Sequence, residues 1–306
     1  MQSKARGRAL ATAATTLQLV GGLIAVWFFL AWRWSASHSS LLERELDLLG
    51  TGAGSLFFIW GQTLGRRARQ HLNEIIPTAE SIGDDPFVLY LRPFEDDSSR
   101  DRFDPTPRGA PGFPSDLLTS GLTGEEQLVA ALKPVGRVIA LGVPGQKLPQ
   151  AGARRMYLAH DAWQDTVLAL MERARLVVLV LGAGRSLMWE LVQSVRMLPP
   201  ERLVLIVPME RAAYDAFAET AVREFRETAE QMLRESGRSW TPPTLPAYPP
   251  HETGAVSEEG AFKVVVHFEA DWTPRPILLK RPLVSGDQLK RSLKRGLRPA
   301  LERWQD

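Results

Sequence analysis

The chain has 306 residues, a formal net charge of +2, 44% hydrophobic and 24% charged residues, and no cysteine. This is a folded composition with room for one mid-sized domain and an extension, or two small ones. The missing cysteines exclude a disulfide framework, a thiol nucleophile and a zinc–thiolate site, and so small a charge excess gives no reason to expect nucleic acid as a partner.

Two apolar runs open the chain, Ala9 to Trp32 and Leu48 to Gly65, and neither carries a charged side chain. A helix needs roughly 18–25 such residues to cross about 30 Å of hydrocarbon, which predicts a transmembrane hairpin over residues 1–70 with spans at about 9–32 and 46–65. Lys4, Arg6 and Arg8 precede it and Arg66, Arg67 and Arg69 follow it, whereas only Arg33 and Arg44 lie between the runs. The positive-inside rule then puts both termini in the cytoplasm, in a two-pass protein of the plasma (inner) membrane whose first partner is the lipid bilayer. A cleaved secretory signal ending at Ser35-Ala36-Ser37 is the alternative, but its apolar region is usually about 7–15 residues. Gly50, Gly52 and Gly54 make the second run a poor soluble helix and permit close helix contact in lipid.

Residues 71–85 read as a juxtamembrane connector closed by the turn Gly83-Asp84-Asp85-Pro86. An α/β domain follows over 86–210. Its predicted elements are a strand at Phe87–Leu91, a Pro-rich loop from Arg92 to Ser120, a helix at Gly124–Leu132 and strands at Arg137–Leu141 and Arg155–Ala159. Next come a helix carrying Trp163, Val167, Leu170, Met171 and Ala174, a continuous apolar strand at Leu176–Leu181, a helix at Leu187–Leu198 and a strand at Leu203–Val207. Alternating strands and helices imply a parallel sheet with helices on both faces. The extension, 211–306, holds an amphipathic helix Arg211–Glu235, a Pro-rich linker Trp240–Pro250, a strand pair Phe262–Glu269 and Pro276–Leu279, and a basic helix Asp287–Trp304. In that last helix Leu289, Leu293, Leu297, Leu301 and Trp304 form one stripe among cations such as Lys294, Arg295 and Arg298. The stripe either packs on the domain or lies on an anionic leaflet.

Ligands of open α/β sheets sit beyond the carboxyl ends of the strands. The residues placed there are Arg92 and Phe94, then Gly142, Pro144 and Gly145, then Gly182, Gly184, Ser186, Trp189 and Glu190. The Gly182–Ser186 turn before a helix can aim N–H groups at an anion, although the third glycine of a dinucleotide fingerprint is missing. Trp189 or Phe94 can stack on a planar base, and a carboxylate at Glu190 can stabilise positive charge at a ribosyl carbon. Glu190 also has a plain structural reading as an acid favoured by a helix N-terminus. Glu95, Asp96, Asp97 and Asp161 allow a phosphoreceiver-like metal site or a solvated acidic loop. The five histidines have no metal-ligand or triad spacing.

The opening strand Phe87-Val-Leu-Tyr-Leu, the Pro144-Gly145 loop, the stretch Ala162–Ala174 leading into Leu176–Leu181, and Ser186-Leu-Met-Trp189-Glu190-Leu191 together resemble a Toll/interleukin-1 receptor (TIR) domain over about residues 87–209. The segment departs from the family in its long first loop and in the tryptophan directly before the glutamate. The resemblance implies a flavodoxin-like fold, self-association through the α/β domain and, in the enzymes of the family, cleavage of NAD at the nicotinamide glycosidic bond with Glu190 as the catalytic residue. NAD is then a substrate; no cofactor or metal is implied. The function so expected is a membrane-anchored signalling or defence protein. The alternatives are a non-enzymatic tethered interaction module and a nucleoside-processing glycosyl transferase or hydrolase.

Overall fold

The computed structural model describes residues 3–35, 41–72, 75–93, 124–142, 153–157, 163–250 and 262–279, with 294, 295, 297, 298 and 302. They belong to two compact units, one holding the two N-terminal helices and the other the sheet.

In the first unit α1 (Lys4–Ser35) and α2 (Leu41–Leu72) are each 32 residues long, about 48 Å at 1.5 Å per residue. They pack antiparallel, with Gly7 against His71 and Leu72, Gly21 against Gly54 and Phe58, and Gly50 against Phe28. Glycine permits this approach. A Cβ on Gly21 would stand 2.7 Å from the Gly54 carbonyl oxygen, and one on Gly54 would stand 2.5 Å from the Ala25 nitrogen, separations no side chain tolerates. Leu23, Trp27, Leu49, Leu56 and Trp60 stand exposed on the outside. Among the described residues α1 alone is long and apolar enough by itself to cross a membrane. The second run, the shorter and only minimally long one in the sequence, does not reach that threshold by itself because Gly50, Gly52, Gly54, Gly61 and Gln62 dilute the apolar stretch of α2.

In the second unit β1 (Ile75–Ile76), β2 (Phe87–Leu91), β3 (Arg137–Gly142), β4 (Arg154–Tyr157), β5 (Leu176–Val180), β6 (Leu203–Val207), β7 (Val264–Phe268) and β8 (Pro274–Leu278) form one sheet. Its order is β1-β4-β3-β2-β5-β6-β7-β8. The helices are α3 (Gly124–Leu132), α4 (Trp163–Arg173), α5 (Arg185–Met197) and α6 (Arg211–Ser236). Every residue of β2, β5 and β6 is buried, as expected of uninterrupted apolar strands covered on both faces. Leu89, Val177 and Leu205 pack toward α4, α5 and α6; Val88, Val178 and Val204 pack toward α3. The α/β class therefore holds.

Three expectations are corrected. The sheet is mixed, not parallel: β1 to β6 pair in parallel, but β7 runs antiparallel to β6 and β8 to β7. The cause is the segment after α6. It does not act as a linker but returns along the helix, with Trp240 edge-on to Phe225 and Tyr248 edge-on to Tyr214. The Tyr214 hydroxyl donates to the Pro246 carbonyl at 2.7 Å. A helix followed by its own return strap brings the chain back to the sheet edge it left, so the next strand runs the other way. The connector is also not a bare linker. α2 continues to Leu72, Ile75–Ile76 adds an edge strand beside β4, and Arg173 donates to the carbonyls of Ala79 and Gly83. The strand predicted at Arg155–Ala159 is described from Arg154 to Tyr157, and its predicted end, 158–159, lies outside the described residues.

Two other details follow from elementary bonding. Arg202 donates to the carbonyls of Met171, Glu172 and Ala174, acceptors that the end of α4 leaves without helical partners. In β8 the Leu279 N–H donates to the Lys263 carbonyl at 2.8 Å, so alternation turns positions 274, 276 and 278 outward. Two of these are prolines, which removes the donors that another strand would need for edge pairing. Of the C-terminal stripe, Leu297 is described and is fully buried in the α3-side core, with Lys294, Arg295 and Arg298 exposed. That favours packing on the domain over lying on a leaflet. Apart from Glu302, the rest of that helix lies outside the described residues.

Candidate functional site

The strand order reverses between β2 and β5, neighbours that lead outward to β3 and β4 on one side and to β6 on the other. The crevice of an open sheet lies at the carboxyl ends of such a pair. Arg92 and Pro93 leave β2 there, and Gly182 leaves β5. The two turns touch, since a Cβ on Gly182 would overlap Pro93 Cγ. At the end of β3, Gly142 lies under the Tyr157 ring, 2.9 Å from where its Cβ would be.

α5 begins at this edge. Gly184 precedes it with φ 130°, a conformation that side chains disfavour, and so turns the chain from β5 into the helix. Ser186 is exposed and Trp189 is partly buried. The Trp189 ring stands edge-on to Trp163, the first residue of α4, with centroids 4.9 Å apart and planes at 68°. Sequence patterning counted Trp163 only as helix core. What it lacked was the pairing of the first turn of α4 with the second turn of α5.

Glu190 is the sixth residue of α5, so it lies in the second turn, and the expectation that the helix N-terminus alone explains this acid is corrected. Its side chain is 0% exposed, and neither carboxyl oxygen has a hydrogen-bond partner. Burial without compensation pushes the carboxyl up to about 8. Gln193 and Ser194, one turn along the same helix, are buried too. Yet the Ser194 hydroxyl lies 3.8 Å from the Met171 sulfur, a weak acceptor. The spacing Glu190, Gln193, Ser194 on a helix that covers a sheet is the sequence signal that could have shown this polar stripe.

The structure thus brings Arg92, Gly182, Gly184, Ser186, Trp189 and Glu190 to the carboxyl side of β2 and β5, with Gly142 closing β3 beside them. Phe94, Pro144 and Gly145 lie outside the described residues, as do Glu95, Asp96, Asp97 and Asp161. Among the described residues no group of acidic or histidine side chains is arranged to hold a metal ion. Comparison with protein-family models, with curated proteins and with solved structures finds no match to this chain.

Proposed function

We propose that the chain is a membrane-anchored protein whose α/β domain, a TIR-like doubly wound module, cleaves NAD at the bond between ribose and nicotinamide, with Glu190 as the catalytic carboxylate. The observation that carries this reading is the unpartnered, fully buried Glu190 carboxyl in the helix that starts at the β2/β5 switch point. A polar group left unsatisfied in a packed interior is costly, and such groups cluster where chemistry is done.

The chemistry follows from the charge. As the glycosidic bond breaks, its electron pair goes to the pyridinium ring, which leaves as neutral nicotinamide, and positive charge develops on the ribosyl carbon. A carboxylate beside that carbon stabilises it; water then adds there and loses a proton, giving ADP-ribose. The reactive form of Glu190 is the anion, so turnover per protein rises with pH toward about 8. An approaching pyridinium cation favours the same anion.

A soluble fragment of residues 74–306, which keeps β1, is the species to test. It is expected to release nicotinamide slowly from NAD, and Glu190→Gln is expected to lower turnover at least about 100-fold with the fold intact. A folded wild-type fragment that leaves NAD untouched would transfer the reading to a binding module without chemistry.

The anchor is read from unit one by itself. Antiparallel packing puts Lys4, Arg6 and Arg8 at the same end of the pair as Arg67 and Arg69, while exposed Leu, Phe and Trp side chains cover the outside. That supports a two-pass hairpin with both termini in the cytoplasm. In intact cells, single thiols from Ser3→Cys and Ser257→Cys are expected to resist an impermeant reagent, and Ser39→Cys to react. Labelling at position 257 would reverse the orientation.

A further inference from the structure

The polar side chains inside the apolar runs of α1 and α2 are of two kinds. The hydroxyls of Thr12, Thr15, Thr16, Thr51, Ser55 and Thr63 each donate to a carbonyl of their own helix about one turn back, at 2.8 to 3.1 Å. They make no demand on the surroundings. Gln18 and Gln62 differ, since neither carboxamide has a hydrogen-bond partner among the described residues. Gln18 crosses the glycine seam: its Cγ is 2.8 Å from where a Cβ on Gly61 would stand, and its Nε2 is 3.9 Å from the same position on Gly65. Gln62 follows Gly61 directly. Gln18 leans from Gly61 toward Gly65, the side of α2 on which Gln62, three residues before Gly65, also projects, and both side chains are partly exposed. The two unsatisfied amides therefore fall on one flank of the pair at one level.

We infer that this flank is where two copies of the chain meet inside the bilayer, through hydrogen bonds between the Gln18 and Gln62 carboxamides. The inference rests on the membrane reading of α1 and α2. Each amide carries two N–H donors and one carbonyl acceptor, and hydrocarbon supplies a partner for neither. A carboxamide is complementary to another carboxamide, so a second copy in the same orientation, related by a two-fold axis along the membrane normal, sets Gln18 of each against Gln62 of the other. Acyl chains cover the apolar side chains around them, such as Leu19 and Leu56, but cannot replace these bonds. Association by this route leaves the proline-blocked edge of β8 unused.

The chain has no cysteine, so Ser39→Cys provides a single dye site for energy transfer between copies of the full-length protein. The protein is reconstituted in vesicles of phosphatidylcholine and phosphatidylglycerol and diluted with lipid. Transfer is expected to persist on dilution, and Gln18→Leu or Gln62→Leu to weaken association about tenfold, whereas Gln62→Asn, which keeps the amide, weakens it less. Absence of transfer in the parent protein overturns the inference, as does equal transfer in Gln62→Leu; the amides would then bond within one copy or to another protein. Extraction of the parent protein from vesicles by alkaline carbonate would instead remove the membrane reading itself.

Discussion

Glu190→Gln is expected to stabilise the 74–306 fragment by roughly 3–5 kcal/mol at pH 8 and by far less at pH 4.5. The carboxyl titrates near 4.5 in the unfolded chain and near 8 in the folded one, where burial opposes its charged form. Between those values the folded state holds the proton that the unfolded state has released. Stability contributed by the neutral acid is therefore complete below pH 4.5, falls as pH rises through the window, and is fully lost above about 8. Glutamine does not titrate, so denaturant melts of the variant lose this slope. Parallel stability–pH curves for parent and variant would mean that Glu190 is solvated and the buried position is wrong. The same substitution is expected to remove NAD cleavage, so the residue that costs the fold most stability would be the one the site needs, a common trade at functional positions.

Val178→Asp is expected to abolish folding of that fragment. Val178 is 0% exposed at the centre of β5, in register with Tyr90 of β2 and Val204 of β6, and covered by the α3-side core. An unpaired carboxylate there has neither water nor a cation. The cost, about 4–5 kcal/mol or more, is a large part of the whole stability of a domain. Val222→Asp, the same chemical change at a position of α6 that is 41% exposed, should shift stability by no more than about 0.5 kcal/mol. Circular dichroism and size-exclusion chromatography separate the two outcomes. A Val178→Asp fragment that melts like its parent would overturn the covered-sheet architecture.

The elements legible in the residues are those whose signal is local. Leu176–Val180 and Leu203–Val207 are uninterrupted apolar runs, and a strand covered on both faces needs nothing else to declare itself. Gly124–Leu132 and Arg211–Ser236 show helical spacing over whole turns, so the C-terminal end of the first and both ends of the second lie within a residue of the expected ones. The site was legible as a location, because the carboxyl ends of parallel strands follow from their order. The chemical state of Glu190 was not. A carboxylate in a helix that follows a glycine-rich turn is equally consistent with a solvated first turn, and only packing of α5 against the sheet and α4 buries it.

Length, charge pattern and periodicity by themselves determined an α/β domain behind an apolar N-terminal segment, because burial and bilayer thickness act on runs of residues along the chain. Tertiary structure alone decided three things. Ile75–Ile76 became a strand because β4 offered an open edge, and two residues carry no period of their own. The proline-rich segment became a strap because Trp240 and Tyr248 found rings on α6, contacts between residues 15 and 34 positions apart. The sheet became mixed because that strap returned the chain to the edge it had left. Each depends on which surfaces meet, and a linear pattern records what a residue prefers to bury but not what it will be buried against.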